Sequence, residues 1–329
     1  MRRRQFVALL GGAAAAWPLA ARAQPADRMP RLGILTGLSE NDLEARSLLA
    51  AFRQQLTELG WSEGRNIRSD YCSTEGDANR IRVCMTELAA TPPDVFLAIG
   101  TLALAALHQA THSIPIVFVQ VSGVVEAGFV ASLAHPGGNI TGFAPFESSL
   151  GGKWLELLKE IAPQLTRVLV VLNPDNPGSR GLSHTIEAVA PSLGIKAASA
   201  GVRDPAAIES AITAFAREPH GGLIVLPDQV TVVHRDLIVS LAARHGLPAA
   251  YSHRLFATAG GLLSYGTDLT ELYRRAAGYI DRILKGEKPA VLPVQAPVKF
   301  QLVINLKSAK ALGLKIPESF LLRADEVIE

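Results

Sequence analysis

Short apolar runs alternate along the chain with amphipathic stretches of about 12 to 20 residues. The apolar runs are rich in Val, Ile and Leu, and this alternation is typical of βαβ units in a parallel sheet. In the first half of the chain, the predicted strands cover 31–36, 67–72, 95–100 and 116–119. The helices predicted between them cover 41–59, 77–90 (capped by Asp77) and 102–110.

A second set of strands and helices begins after residue 143. Its predicted strands cover 168–172, 195–200 and 223–226, and its predicted helices cover 150–161, 182–193, 206–216 and 237–244. Two successive sets of this length predict two open sheets and not one closed barrel of eight strands.

Three Gly-rich or Pro-rich passages, at 135–142, 258–266 and 289–297, are predicted to cross between the two sets. The predicted fold class is α/β, with two Rossmann-like lobes whose open parallel sheets are joined by a three-strand hinge. Lobe 1 is predicted to hold 31–143 plus 259–289, and lobe 2 to hold 144–258 plus 290–329. Such a hinge closes around a ligand. Two tandem domains with simple linkers are the alternative.

The first 23 residues have the order of an export signal. Arginines at 2–4 precede a weakly apolar, Gly/Ala-rich run over 6–19, and the segment ends with small residues around Ala23. The paired arginines followed by Phe6 favour a twin-arginine signal, with an ordinary secretory signal as the alternative. We expect cleavage near Ala23 and a periplasmic protein.

Removal of this segment changes the charge of the chain. Its four arginines leave 28 basic residues against 30 acidic ones, without a Lys/Arg cluster that could follow a phosphate backbone. Nucleic acid is therefore not an expected partner. Cys72 and Cys84 fall on a predicted strand and the helix after it, so either a disulfide or a buried Cys84 thiol fits the pattern.

Ligands of open α/β sheets bind beyond the carboxyl ends of the strands, where helix N-termini present free N–H groups. A carboxylate fits the helix start at Gly100 and Thr101, and Asp228 can pair with an ammonium group. Loop capping is the alternative for each position. The predicted ligand-binding residues are Thr36, Gly37, Gly100, Thr101, Ser122, Gly123, Asn173, Asn176, Asp228 and Tyr265.

Aromatic side chains near these positions have two interpretations. Tyr251, Tyr265, Phe143 and Phe146 could form an aromatic wall beside the ligand, or they could pack in the cores. Enzyme motifs are not found: the sequence has no Gly-x-Ser-x-Gly, Gly-x-Gly-x-x-Gly or His-Glu-x-x-His. The pair at His108 and His112 fits a polar helix end better than a metal site. We expect no catalytic residues, no metal and no cofactor.

Several segments together resemble a known family, the ABC-transporter substrate-binding proteins of the tryptophan/tyrosine-binding type. The resemblance rests on LGWSEGRNI at 59–67, AIGT at 98–101, IPIVF at 114–118, HPGGNITG at 135–142, GGLLSYG at 260–266, ILKG at 283–286, VINLK at 303–307 and ALGL at 311–314. It implies the periplasmic-binding-protein type I fold, a small ligand between the lobes, and a membrane permease as partner.

Two segments depart from the family pattern. SGVV stands at 122–125, where the family commonly has an Asp-Pro-Val turn, and PDQV at 227–230 lacks the Asp-Asn pair of the tryptophan binders. We therefore expect a monomeric, extracytoplasmic binding protein of an ABC importer that takes a small polar solute, with an aromatic amino acid as one candidate. An exported α/β enzyme and a ligand-binding sensor subunit of a membrane receptor are the alternatives.

Overall fold

A computed structural model describes residues 28–39, 41–74, 78–297 and 299–329. The predicted signal at 1–23 and the predicted cap at Asp77 lie outside these residues. Within the described part of the chain, no helix has the length and apolar character needed to cross a membrane.

The first lobe is built on a five-stranded sheet in which every pair is parallel, in the order β2-β1-β3-β4-β5. Its strands are β1 (Arg31–Thr36), β2 (Arg68–Ser73), β3 (Val95–Ile99), β4 (Ile116–Val119) and β5 (Ile140–Gly142). The helices between them are α1 (Leu43–Glu58), α2 (Ala78–Ala90) and α3 (Thr101–Ala110). Strands β3 and β4 are buried along their whole length, as expected for a sheet covered on both faces.

The second lobe is built on a seven-stranded sheet in the order β12-β11-β10-β9-β8-β6-β7. Its strands are β6 (Arg167–Leu172), β7 (Lys196–Gly201), β8 (Gly221–Val225), β9 (Ala249–Tyr251), β10 (Leu263–Thr267), β11 (Phe300–Asn305) and β12 (Glu326–Ile328). Its helices are α4 (Leu150–Ile161), α5 (Pro177–Val189), α6 (Pro205–Phe215), α7 (Gln229–Val233), α8 (Arg235–Arg244), α9 (Arg254–Thr258), α11 (Leu306–Ala311) and α12 (Glu318–Leu321).

Helix α10 (Leu269–Leu284) belongs to the first lobe although it follows most of the second in sequence. Its apolar stripe, which includes Leu272, Tyr273 and Ile280, packs with residues of α1, β3 and β4 in one buried cluster. The Trp61 indole N–H also donates to Asp281 Oδ1 at 2.9 Å. The core of lobe 1 is therefore completed by a distant part of the chain.

The α/β class with two Rossmann-like lobes is confirmed, and two details of the prediction are corrected. The second sheet is mixed, because β11 runs antiparallel to β10. The passage at 258–266 is not a crossover: it ends α9 and forms most of β10, so the chain returns to lobe 1 at Asp268 and not at residue 259. Burial explains this, since Leu262 and Leu263 pack in the core of lobe 2.

The three crossings lie side by side. The Ala144 N–H donates to Gln295 O at 3.0 Å, and the Gln295 N–H donates to Gly142 O at 2.9 Å. The Thr267 hydroxyl, in the second crossing, donates to Pro145 O at 3.0 Å. The first crossing follows β5 and therefore lies after the predicted passage at 135–142.

Cys72 and Cys84 form a disulfide, with their Cα atoms 5.8 Å apart. The bond joins β2 to α2 at the edge of the lobe 1 sheet. Of the two interpretations of these cysteines, the disulfide is the one that the structure shows.

Candidate functional site

The carboxyl ends of the strands of the two lobes face each other across an interface that we call the seam. It is formed by Thr36, Gly37, Gly100, Thr101, Ser122 and Gly123 from lobe 1, and by Asn173, Asn176, Gly178, Ser179, Asp228 and Gln229 from lobe 2. The lobes touch here: a Cβ atom added to Gly37 would lie 2.6 Å from Gln229 Cγ. Likewise, one added to Gly123 would lie 2.8 Å from Gly178 Cα. The structure is thus a closed arrangement of the lobes.

The lobe 1 side of the seam presents backbone groups and three hydroxyls, those of Thr36, Thr101 and Ser122. Thr36 is buried at the end of β1, where its Oγ1 accepts the Leu38 N–H at 3.1 Å. Gly100 precedes α3 with a φ of +90°, a conformation that favours glycine, and Thr101 is the first residue of that helix. The start of α3 adjoins the seam, since a Cβ atom added to Gly100 would lie 3.2 Å from Gln229 Oε1.

Ser122 and Gly123 follow β4 on the hinge side of the seam. Ser122 is buried and forms an isolated bridge with Phe146, and Gly123 has a φ of +61°. A cavity of about 170 Å³ lies beside these residues, with Phe146 and Leu182 in its lining. This cavity has apolar as well as polar walls.

The lobe 2 side is organised around a buried carboxylate. Asp228 accepts the Asn173 side-chain amide at 3.0 Å, the Asn176 side-chain amide at 2.9 Å and the Val230 N–H at 2.8 Å, so it also caps α7. Burial raises the pKa of the Asp228 carboxyl, and these hydrogen bonds act against that rise. Asp228 therefore holds the two asparagine side chains in place.

Tyr265 is the predicted site residue that the structure places elsewhere. Its ring stacks on Phe300 with centroids 5.5 Å apart, and its carbonyl accepts the Trp154 indole N–H at 2.6 Å. It thus packs in the core of lobe 2, because position 265 lies on the side of β10 that faces α4.

The structure distinguishes the two interpretations of the aromatic side chains. Tyr251 stacks on Phe256 at 4.7 Å, and Phe143 lies against Tyr279 at 4.9 Å, so both belong to the cores. Phe146 alone among the four lines the cavity at the seam. Core packing is therefore the right interpretation of three of these rings.

Sequence reasoning missed two polar side chains at the seam. Gln229 follows Asp228 directly and reaches the glycines of lobe 1, and the Ser179 hydroxyl is buried on α5. Gln229 could have been predicted as a site residue, because it directly follows an aspartate at the end of a strand. Nothing local marks Ser179, because a serine inside a helix is commonly only a surface residue.

Charged residues of both lobes meet at the rim of the seam. Arg235 Nη1 lies 2.8 Å from Asp42 Oδ2, with side chains only 22% and 12% exposed. Burial raises the pKa of the neighbouring Glu44 carboxyl, and the charge of Arg254 in lobe 2 opposes this rise. At the rim, acidic residues near the start of α1 therefore interact electrostatically with arginines of lobe 2.

The chemistry available at the seam is hydrogen bonding to a small molecule. Donors are backbone N–H groups, amides and hydroxyls, and the acceptors include a carboxylate held by amides. Among the described residues, no group of three or more His, Cys, Asp or Glu side chains could hold a metal ion. Fold and seam together define a two-lobed ligand-binding clamp.

The chain belongs to the family of ABC transporter substrate binding proteins, whose family model matches residues 33–328. Members of this family bind small ligands and work with ABC transporter permeases. The similarity to a tyrosine-binding protein of Clostridioides difficile is 25% identity over 264 residues, which cover 80% of this chain and 76% of the relative. The structural class and the family predicted from the sequence are confirmed.

Solved structures give the same result for the fold. A Streptococcus pneumonia protein in complex with L-Trp has a TM-score of 0.85 at 26% identity, covering 92% of this chain and 100% of that one. A ligand-free, open structure of a Clostridium difficile substrate binding protein has a TM-score of 0.66 at 24% identity, with 91% and 99% covered. Both structures share the fold of this chain.

Proposed function

We propose that this substrate-binding protein closes its lobes around an aromatic amino acid and delivers it to an ABC permease in the inner membrane. The observation that carries the proposal is the convergence of strand ends from both lobes at one seam, where Gly37 and Gly100 meet Gln229 and Gly123 meets Gly178. A molecule held there contacts both lobes only when they are closed, and such contacts drive closure.

An α-amino acid suits the chemistry of the two sides. The N–H groups at the start of α3, with the Thr101 hydroxyl, suit a carboxylate. Asp228 with its asparagines supplies acceptor oxygens for an ammonium group. Phe146 in the cavity lining and the tyrosine- and tryptophan-binding relatives support an aromatic side chain.

The cellular setting is part of the same proposal. A twin-arginine signal over 1–23, cleaved near Ala23, would take the protein to the periplasm, where it acts as a monomer without a catalytic step. Lobe 1 would comprise 31–143 with 268–289, and lobe 2 the remainder of the mature chain. The permease would receive the solute from the closed form.

Isothermal titration calorimetry on the mature protein tests the ligand. We expect L-tyrosine or L-tryptophan to bind, and we expect tyramine and 3-(4-hydroxyphenyl)propanoate to bind at least about 10-fold more weakly, because each lacks one charged group. A ligand at 100 times its dissociation constant also stabilises the protein by about 2.7 kcal/mol, which a thermal-shift assay detects. Mass spectrometry that finds a sugar released from the denatured protein, with no response to amino acids, would contradict the proposal.

A further inference from the structure

Gln229 reaches from lobe 2 into a notch formed by two glycines of lobe 1. A Cβ atom at Gly37 would lie 2.6 Å from Gln229 Cγ and 2.7 Å from its Cδ, and one at Gly100 would lie 3.2 Å from its Oε1. The glutamine side chain therefore rests on the backbone at the ends of β1 and β3. Any larger residue at Gly37 would exclude it from this position.

The side-chain amide of Gln229 is a buried donor without a hydrogen-bond acceptor among the residues that the structure describes. Its Nε2 atom is buried, and no described residue accepts a hydrogen bond from it. Most buried polar atoms have a partner, because an unpaired donor loses its hydration without compensation. When the lobes separate, this amide is free to bond to water. The closed form alone therefore carries the penalty, and an acceptor placed beside Nε2 removes it.

We propose that Gln229 makes closure depend on the solute, by donating from Nε2 to a carboxylate oxygen of the ligand. Gly37 and Gly100 are small so that the side chain can reach that oxygen in the closed form. This inference rests on the proposed function, since it assumes that a solute lies in the seam. It assigns the recognition of the solute's carboxylate to a side chain of lobe 2, facing the N-terminus of α3 in lobe 1.

The first test replaces the amide with a side chain of similar length that has no N–H group. In Gln229→Met, affinity for L-tyrosine and for 3-(4-hydroxyphenyl)propanoate should fall about 10-fold, because their carboxylate loses a hydrogen bond. Affinity for tyramine, which lacks a carboxylate, should rise about 10-fold, because the closed form no longer carries an unpaired donor. The control is Gln164→Met, at an exposed glutamine of lobe 2. Equal losses for all three compounds, or no loss for any, would overturn the proposal.

The second test needs no ligand and so separates this proposal from the proposed function. Spin labels at Arg53→Cys and Glu209→Cys, both exposed, report the distance between the lobes by pulsed electron resonance. Gln229→Met removes the unpaired donor. In the ligand-free protein, the closed fraction should therefore be about 10-fold higher in this variant than in the labelled protein that keeps Gln229. An unchanged distribution would overturn the role of the amide, even if the protein binds no amino acid at all.

A third test uses a second substitution that should restore closure, which shows that the first variant is folded. Gly37→Ala should prevent closure while Gln229 is present, since the new Cβ atom meets its side chain. Gly37→Ala combined with Gln229→Ala should close again, with the same distance distribution as Gln229→Ala alone. If Gly37→Ala alone closes like the parent protein, the contact between the two residues does not exist and the proposal is wrong.

Discussion

At the scale of single residues, Asp228 has a structural role that its sequence position only partly revealed. The position after a strand predicted a cap or an ammonium partner. The structure shows a cap, and it adds two asparagine amides that donate to the same carboxylate. Such long-range hydrogen bonds, between residues more than 50 positions apart, cannot be deduced from local pattern, whereas the polar strand ends could be.

Asp228→Asn should destabilise lobe 2 by about 2 kcal/mol. One carboxylate oxygen becomes an NH₂ group, which then faces the NH₂ group of an asparagine in a buried site. Urea denaturation of the ligand-free protein measures the loss.

The matched control for this change is Asp204→Asn. Asp204 caps α6 by accepting the Ala207 N–H at 2.8 Å at an exposed position, and asparagine caps a helix about as well as aspartate. We expect almost no change there. Equal effects at the two positions would show that the asparagine amides do not depend on Asp228.

His253 should make the stability of the protein depend on pH. It is 5% exposed beside the Phe146 ring, and burial lowers the pKa of its imidazole from 6.5 to about 4. Between these two values the unfolded chain takes up a proton that the folded chain does not. Stability should therefore fall by about 3 kcal/mol as the pH drops from about 6.5 to 4, and be fully present above pH 6.5.

The variant His253→Phe keeps a ring against Phe146 and cannot be protonated. Denaturation curves at pH 7, 5.5 and 4 should show a smaller loss of stability in this variant than in the parent protein. His135→Asn, which removes an exposed histidine, serves as the control. If the parent and His253→Phe lose stability in parallel between pH 6.5 and 4, the buried imidazole is not the cause.

At the scale of elements, hydrophobic periodicity predicted most strands and helices to within a few residues, and it predicted α4 with its observed bounds. The lobe bounds predicted from the sequence put both α10 and β10 in lobe 1, and this choice of lobe agrees with the structure for α10 but not for β10. That choice depends on contacts between distant segments, such as Tyr273 of α10 with the core around Phe52. The antiparallel pairing of β11 was missed for the same reason, since strand direction leaves no trace in local pattern.

The disulfide between β2 and α2 should stabilise lobe 1. It closes a segment with a sequence separation of 12, which corresponds to about 3 kcal/mol in the loop-closure treatment. The double substitution Cys72→Ser with Cys84→Ser should lower the free energy of unfolding of lobe 1 by about this amount. Hydrogen exchange followed by mass spectrometry can assign the loss to peptides of lobe 1.

Lobe 2 provides the internal control for the disulfide, because each lobe has a hydrophobic core of its own. Peptides from β6 and β8 should keep their protection in the double variant. A loss of protection spread equally over both lobes would mean that the lobes unfold as one unit.

At the scale of the whole molecule, function depends on the balance between open and closed arrangements of two stable lobes. The closed form has apolar as well as polar contacts: Leu38 and Ala45 of lobe 1 pack in a cluster with Val232 and Leu255 of lobe 2. These contacts favour closure, and the unpaired Gln229 amide opposes it. A ligand needs only to change this balance by a few kcal/mol to shift the population.

The ion pair between Asp42 and Arg235 adds an electrostatic contribution to that balance. It joins the two lobes at 2.8 Å and is only partly exposed, so opening exposes both charges to water and salt. Arg235→Gln should therefore reduce the closed population, and with it the apparent affinity for the solute, by about 5-fold, or about 1 kcal/mol. Asp42→Asn should have the same effect while keeping the cap of α1, since asparagine can accept the Ala45 N–H.

Ionic strength distinguishes this effect from a loss of packing. The affinity of the parent protein should fall between 20 mM and 500 mM salt, whereas that of Arg235→Gln should change less, because its cross-lobe pair is already absent. Arg323→Gln is the control, since it removes an ion pair with Glu160 that lies within lobe 2. If Arg235→Gln and Arg323→Gln show the same affinity and the same salt dependence, closure does not depend on the pair at the rim.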